Sequence, residues 1–155
     1  MHNTERELRG LGPEYRVLHG LEVHSGSAAH RIAHIVVGPN GVFHIENKPW
    51  SGEIQVGGEA ASGSGQEDAT AQSYRYEFVL KELLREQHKQ ADVVGIVCFT
   101  HPDARLLGES AAFAALKPDR LVSYIRGYKP KQTLSEQQVQ EIVGLIEEHS
   151  KSRTK

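Results

Sequence analysis

The segment from His30 to Trp50, HRIAHIVVGPNGVFHIENKPW, does most to restrict what this chain can fold into. Two apolar runs, Arg31–Val37 and Val42–Lys48, flank Gly38-Pro39-Asn40-Gly41. β-branched runs on either side of a tight Gly/Pro/Asn turn predict an antiparallel hairpin. On the second strand Glu46 and Lys48 stand two residues apart and therefore project to one face. A carboxylate and an ammonium so placed can hold a divalent metal and polarise an attacking water or a phosphate. An isolated Glu-x-Lys is more often a solvated ion pair, but the strand context and the turn favour a site here. His44 shares that face, where it would touch a substrate phosphate or simply be a strand residue with a satisfied side chain.

Around the hairpin the chain reads as one unit. A length of 155 residues suits a single domain over residues 1–150, with a basic tail at 151–155. Thr4-Glu5-Arg6-Glu7 has the form of a capping box opening a short helix that Gly12-Pro13 ends. Tyr15–Val23 reads as a first strand, Ser25–Ala29 as a loop and Gly52–Val56 as a short strand. Gly57–Gly65 is Gly/Ala/Ser-rich loop. From Asp68 to His88 the spacing of Tyr76, Val79, Leu80, Leu83 and Leu84 predicts a long helix. Val93–Thr100 reads as a strand buried on both faces. Ala111–Leu116 follows as a strand and Pro118–Arg126 as a helix. The last helix starts at Ser135, with Gln138 completing a capping box and Val139, Ile142, Val143 and Ile146 forming its apolar face. The order predicts an α/β fold around one mixed central sheet.

Composition narrows the setting. A formal net charge of −2 gives no global attraction to nucleic acid, although a local basic groove remains compatible with it. One cysteine, Cys98, excludes an internal disulfide and falls in an apolar run, as a buried thiol does. No apolar stretch has the length of a membrane span, and the N-terminus lacks a signal-peptide core, so a cytoplasmic protein is expected. Nine histidines invite a zinc reading, but no Cys or His cluster has structural-zinc spacing. The sequence leaves a homo-oligomer open.

The run HIVVGPNGVFHIENKPWSGEI resembles the nuclease-related domain, the NERD family of the PD-(D/E)XK nuclease superfamily. His34, the GPNGVF turn, Ile45-Glu46-Asn47-Lys48, Trp50 and Gly52 carry the resemblance. It extends to Glu5, to Tyr15–His19, and to Gln72 and Tyr76 on the long helix, roughly the first two thirds of the chain. It implies a restriction-endonuclease-like core and metal-dependent hydrolysis of nucleic-acid phosphodiesters, DNA ahead of RNA. It also implies Mg²⁺ or Mn²⁺ held by Glu46 and the carbonyl of Asn47, with Lys48 orienting water and offsetting charge. Gln72 and Glu5 would complete the catalytic set, and His34, His44 and Trp50 would face substrate. Glu5 also reads as a first-turn carboxylate, Tyr76 as core and Trp50 as packing over the hairpin end. The family's other carboxylate falls on Ala33, which has no donor oxygen, so the resemblance implies a crippled site. A knock-out substitution and a naturally degenerate binding or interaction module both explain that alanine.

The turn leaves the register open. A two-residue loop at Pro39-Asn40 sets position 33 across from Glu46, but proline cannot take the positive φ that favoured two-residue turns demand. A three-residue loop with Gly41 in a bulge sets His34 there instead, and a one-residue slip exchanges faces. The resemblance favours position 33, with a bulge or twist expected to reconcile the two.

Overall fold

In a computed structural model, residues 3–25, 28–57 and 69–150 are described. Among them lie strands β1 (Arg16–Ser25), β2 (Ala28–Gly38), β3 (Gly41–Lys48), β4 (Glu53–Gln55), β5 (Val93–Phe99), β6 (Arg105–Leu107) and β7 (Ala114–Leu116). The α-helices are α1 (Asn3–Leu8), α2 (Ala69–Glu86), α3 (Leu121–Gly127) and α4 (Glu136–Glu148). The expected hairpin, β2–β3, is the axis of a five-stranded sheet ordered β1-β2-β3-β5-β7. β1, β2 and β3 are antiparallel neighbours, whereas β3–β5 and β5–β7 are parallel, so the sheet is mixed. A parallel neighbour needs a crossover, and α2 supplies it between β3 and β5.

Helices cover both faces. On one, Val79, Leu80 and Leu83 of α2 and Val139, Ile142 and Ile146 of α4 pack with Ile35, Val37 and Val42. On the other, Leu8 of α1 and Leu121 and Ile125 of α3 pack with Val36, Phe43, Ile45, Ile96 and Cys98. The alternation along β2 and β3 thus splits their apolar residues between two cores. The architecture is α/β, a mixed sheet flanked by helices, compatible with a restriction-endonuclease-like fold. α4 begins as its sequence foretells: Ser135 Oγ accepts from Gln138 N at 3.1 Å, and Gln138 Oε1 accepts from Ser135 N at 2.8 Å.

The turn settles the register. Gly38 pairs with Gly41, Val37 with Val42 and His34 with Ile45, so the loop has two residues and no bulge lies within that ladder. The expected obstacle at proline does not arise, because the positive φ falls on Gly41, at 138°. A Cβ at Gly41 would also stand 2.9 Å from the Asp92 carbonyl, and only glycine suits both demands. Side-chain and backbone bonds then hold the turn in place. Asn40 Nδ2 donates to the carbonyls of Ile125 and Tyr128 at 2.7 and 3.1 Å, and Leu134 N donates to Pro39 O at 2.8 Å.

Other expectations need correcting. Thr4 lies inside α1, and its hydroxyl reaches the Asn47 side chain rather than capping the helix. The strand expected at Gly52–Val56 is β4, paired with β6, which periodicity did not reveal, in a separate two-stranded sheet. β7 is shorter than Ala111–Leu116, and the helix expected from Pro118 opens as a 3-10 turn, Pro118–Arg120. Apart from Gly57, the Gly-rich stretch to Gly65 lies outside the described residues, as does the tail at 151–155.

Asp92, just before β5, ties this end of the sheet together. Its carbonyl accepts from Val42 N at 2.8 Å, and its carboxylate accepts from Tyr128 Oη at 2.8 Å and from Lys131 N and Gln132 N. Burial works to raise this carboxyl, but the bonds from Lys131, Tyr128 and Gln132 outweigh it and hold it below its ordinary value. Burial, then Asp92 itself, pushes the Tyr128 phenol up to about 12. Asp92→Ala leaves three donors without their acceptor and is expected to cost about 1–3 kcal/mol. Urea titration reads this as a lower midpoint, and an unchanged midpoint would deny Asp92 this role.

Candidate active site at the fork of β2 and β3

The described β2–β3 pairs end at His34–Ile45, although β3 continues to Lys48 and β2 extends back to Ala28 against β1. The two strands therefore part at the next step, which sets Ala33 level with Glu46. On the far side of β2, the pairs His19–His34 and Leu21–Ile32 bracket Gly20, whose φ is 60°, so the β1 backbone departs from extended geometry beside Ala33. Beyond the fork, Glu46, Asn47 and Lys48 still pair with Val97, Cys98 and Phe99 of β5. The Lys48 carbonyl accepts from Thr100 N at 3.0 Å. Carbonyls alternate in direction along a strand, so that of Asn47 points away from β5, toward the edge that β2 has left.

His44, Glu46 and Lys48 share the face of β3 that α2 covers. Tyr76 of α2 meets His44 edge-on at 6.0 Å, and Ala69 packs with Val97, Trp50 and Phe99. Gln72 lies between Ala69 and Tyr76 on the buried side of α2, the side that faces the sheet. Lys48 is 8% exposed, and its ammonium sits 5.7 Å from the Trp50 ring centroid, within reach of a cation–π attraction. Ala33, Glu46, Lys48 and Gln72 thus gather on one side of the fork.

Three residues expected at the site carry their side chains to the opposite side, although the Asn47 carbonyl stays at the fork. Asn47, His34 and Glu5 belong to a hydrogen-bonded chain beneath α1. Thr4 Oγ1 donates to Asn47 Oδ1 at 2.6 Å, and Asn47 Nδ2 donates to His34 Nε2 at 3.1 Å. With Nε2 accepting, neutral His34 carries its proton on Nδ1 and donates it to His19 Nδ1 at 2.9 Å. The remaining His19 N–H then faces Glu5, whose carboxylate stands 3.9 Å away. Burial, then the neighbouring His19, lowers His34 to about 4, with Glu5 opposing, so His34 is neutral at pH 7. At the other end Cys98 Sγ lies 3.4 Å from Thr4 Oγ1, and burial raises its thiol. His19, Thr4 and Cys98 enter this cluster although sequence reasoning assigned none of them a place at the site. Tyr15–His19 fitted the resemblance, but placing His19 against His34 required the β1–β2 register.

Packing bears on two residues expected to face substrate. His44 is 1% exposed and lies under α2 against Tyr76 and Gly95. Trp50 is 7% exposed and packs on Phe99 with ring centroids 5.7 Å apart, so its faces are not open to a base.

Mg²⁺ asks for hard oxygen ligands, usually one or two carboxylates with waters and phosphate. Here the fork offers the Glu46 carboxylate and the Asn47 carbonyl, opposite a methyl group at position 33. Among the described residues no group of three or more His, Cys, Asp or Glu could hold a metal ion. The residues present do not amount to a complete magnesium site.

Comparison with known families bears on the same stretch. A family model described as the nuclease-related domain matches residues 2–100, from the start of α1 through β5 and so across the whole fork. No curated protein and no solved structure gives a significant match. Among the described residues no helix is long and apolar enough to cross a membrane. With well over half its length matched, and a mixed α/β sheet consistent with PD-(D/E)XK nucleases, the chain belongs to the nuclease-related domain family.

Proposed function

We propose that this chain is a nuclease-type domain for nucleic-acid phosphodiesters, with DNA the preferred substrate, whose own hydrolysis is crippled at Ala33. The observation that carries the reading is the fork. Glu46 and Lys48 stand on one face where two strands part, the Asn47 carbonyl turns to the open edge, and a methyl group occupies the one position level with Glu46. Glu46 and the Asn47 carbonyl are the groups that would take Mg²⁺ or Mn²⁺. With one carboxylate such binding would be weak. Lys48, restrained by the Trp50 ring, would orient a water and offset charge developing on the phosphate. Gln72 would position the same water or phosphate.

A second reading, a nucleic-acid-binding module without catalysis, is favoured by the incomplete ligand set. A paired nuclease assay separates the two: this chain and Ala33→Asp on plasmid, linear and single-stranded DNA, with Mg²⁺, Mn²⁺ or EDTA. Metal-dependent cleavage by the Asp form alone supports the crippled nuclease. Two inert proteins that still bind DNA in EDTA support the module. Inert proteins that bind no nucleic acid overturn both.

A further inference from the structure

The outer surface of α2 carries a second feature, on the side of that helix away from the fork. Tyr74 and Phe78 are 51% and 64% exposed and stand four residues apart. The helical repeat continues their line through Lys81 and Arg85, opposite the buried Gln72, Tyr76, Val79 and Leu83. At 1.5 Å per residue the stripe from Tyr74 to Arg85 is about 17 Å long. It ends in an open depression of about 450 Å³ lined by Lys81, Leu84, Arg85, His88 and Lys89 among others, with no carboxylate in its lining. Glu77, Glu82 and Glu141 reach Lys81, Arg85 and Lys89 from the flanks. Those pairs are exposed, and exposed pairs are weak enough for a polyanion to exchange.

His88 adds an independent sign. It ends α2 in the left-handed region, φ 57°, with Lys89 N donating to Leu84 O at 2.8 Å, a position that glycine ordinarily fills. Among the described residues it is the one non-glycine with positive φ. The imidazole is thus held at the rim of the depression at a cost in backbone strain.

We propose that this face of α2 docks single-stranded nucleic acid, with bases stacked on Tyr74 and Phe78 and phosphates held by Lys81, Arg85, His88 and Lys89. A duplex keeps its bases stacked inside and offers nothing to the aromatic pair. A small anion has no use for that pair, and a partner helix would want apolar side chains where Lys81 and Arg85 stand. The surface is separate from the fork and does not depend on metal or on residue 33.

The test is fluorescence anisotropy of a labelled oligothymidylate in EDTA across a salt series. Tyr74→Ala/Phe78→Ala should weaken binding by about tenfold or more. Lys81→Ala/Arg85→Ala should reduce the slope of log affinity on log salt by about 1.4, two phosphates' worth. His88→Gly should raise the melting temperature while weakening binding, a pairing that a purely structural role does not give. Arg120→Ala, which removes an exposed charge at the start of α3 on the far side of the sheet, should leave the affinity within about twofold. The proposal is overturned if the unmodified chain does not bind, if the aromatic pair can be removed without effect, or if Arg120→Ala weakens binding as much as Lys81→Ala/Arg85→Ala. It is also overturned if the stripe variants change sedimentation rather than binding, since the face then joins copies of this chain. Cleavage by Ala33→Asp reads the fork independently of every arm.

Discussion

Ala33→Asp is expected to raise magnesium-dependent DNA cleavage by at least about 100-fold over background, and adding Lys48→Ala should return it to background. The register is what makes the substitution specific. The two-residue turn sets position 33 level with Glu46, at the step where β2 leaves β3, so the new carboxylate enters the open side of the fork. A second readout needs no turnover. Two carboxylates facing each other without a cation repel, so in EDTA the variant should be less stable than the parent by about 1 kcal/mol. Magnesium at one hundred times its dissociation constant would then add about 2.7 kcal/mol to the variant, while the parent's melting temperature stays nearly still. Stabilisation with cleavage marks Ala33 as the missing ligand. Stabilisation without cleavage means that metal returns but another part of the site has decayed, the pattern of an older loss. If magnesium does neither, the fork is no metal site and the nuclease reading fails.

Legibility in the sequence followed the range of the interactions involved. The hairpin, α2, β5 and α4 were readable because local periodicity and local side-chain bonds define them, as at Ser135 and Gln138. β6 was not, because three residues with a half-exposed pattern carry no period and gain their partner from β4, far away in sequence. The turn misled for a specific reason. Proline's fixed φ argued against a two-residue loop, yet the chain places the positive φ just past the loop, at Gly41, and fastens the turn through Asn40, Pro39 and Asp92. At the candidate site, the shared face of Glu46 and Lys48 was readable from strand alternation. The split between faces was not: Glu5, His34 and Asn47 look like parts of the same site along the chain, but alternation sends His34 and Asn47 to the α1 side. His44 illustrates the converse. Its position on the Glu46 face was read correctly, and its burial depends on how closely α2 lies over Gly95, which no local pattern encodes.

His44 also makes stability depend on acid in a way that a variant can isolate. The ring is 1% exposed, packed by Tyr76, and its Nε2 is buried with no hydrogen-bond partner among the described residues. A protonated imidazole there would be an uncompensated buried charge, and burial lowers His44 from 6.5 to about 4. Because the folded value lies below the unfolded one, the unfolded chain takes up the proton first. The stability from keeping His44 neutral is therefore complete above about pH 6.5 and drains away as pH falls toward 4. At about 1.4 kcal/mol per unit the loss is about 3 kcal/mol. His34, also lowered to about 4, shifts stability in the same direction. The packing around His44 is close: a Cβ at Gly95 would stand 2.8 Å from its ring and 2.6 Å from Ser73 Oγ, so α2 and the ring sit tightly on β5 at this glycine. His44→Leu keeps similar bulk without a titrating group. It should cost about 1 kcal/mol at pH 7 through changed shape. Below pH 5 it should be the more stable protein. Urea midpoints for both proteins in EDTA from pH 7 to pH 4.5 would show the two curves crossing. Parallel curves would mean that the His44 ring takes up its proton without opposing the fold, and that α2 is less tightly seated on β3 than this packing requires.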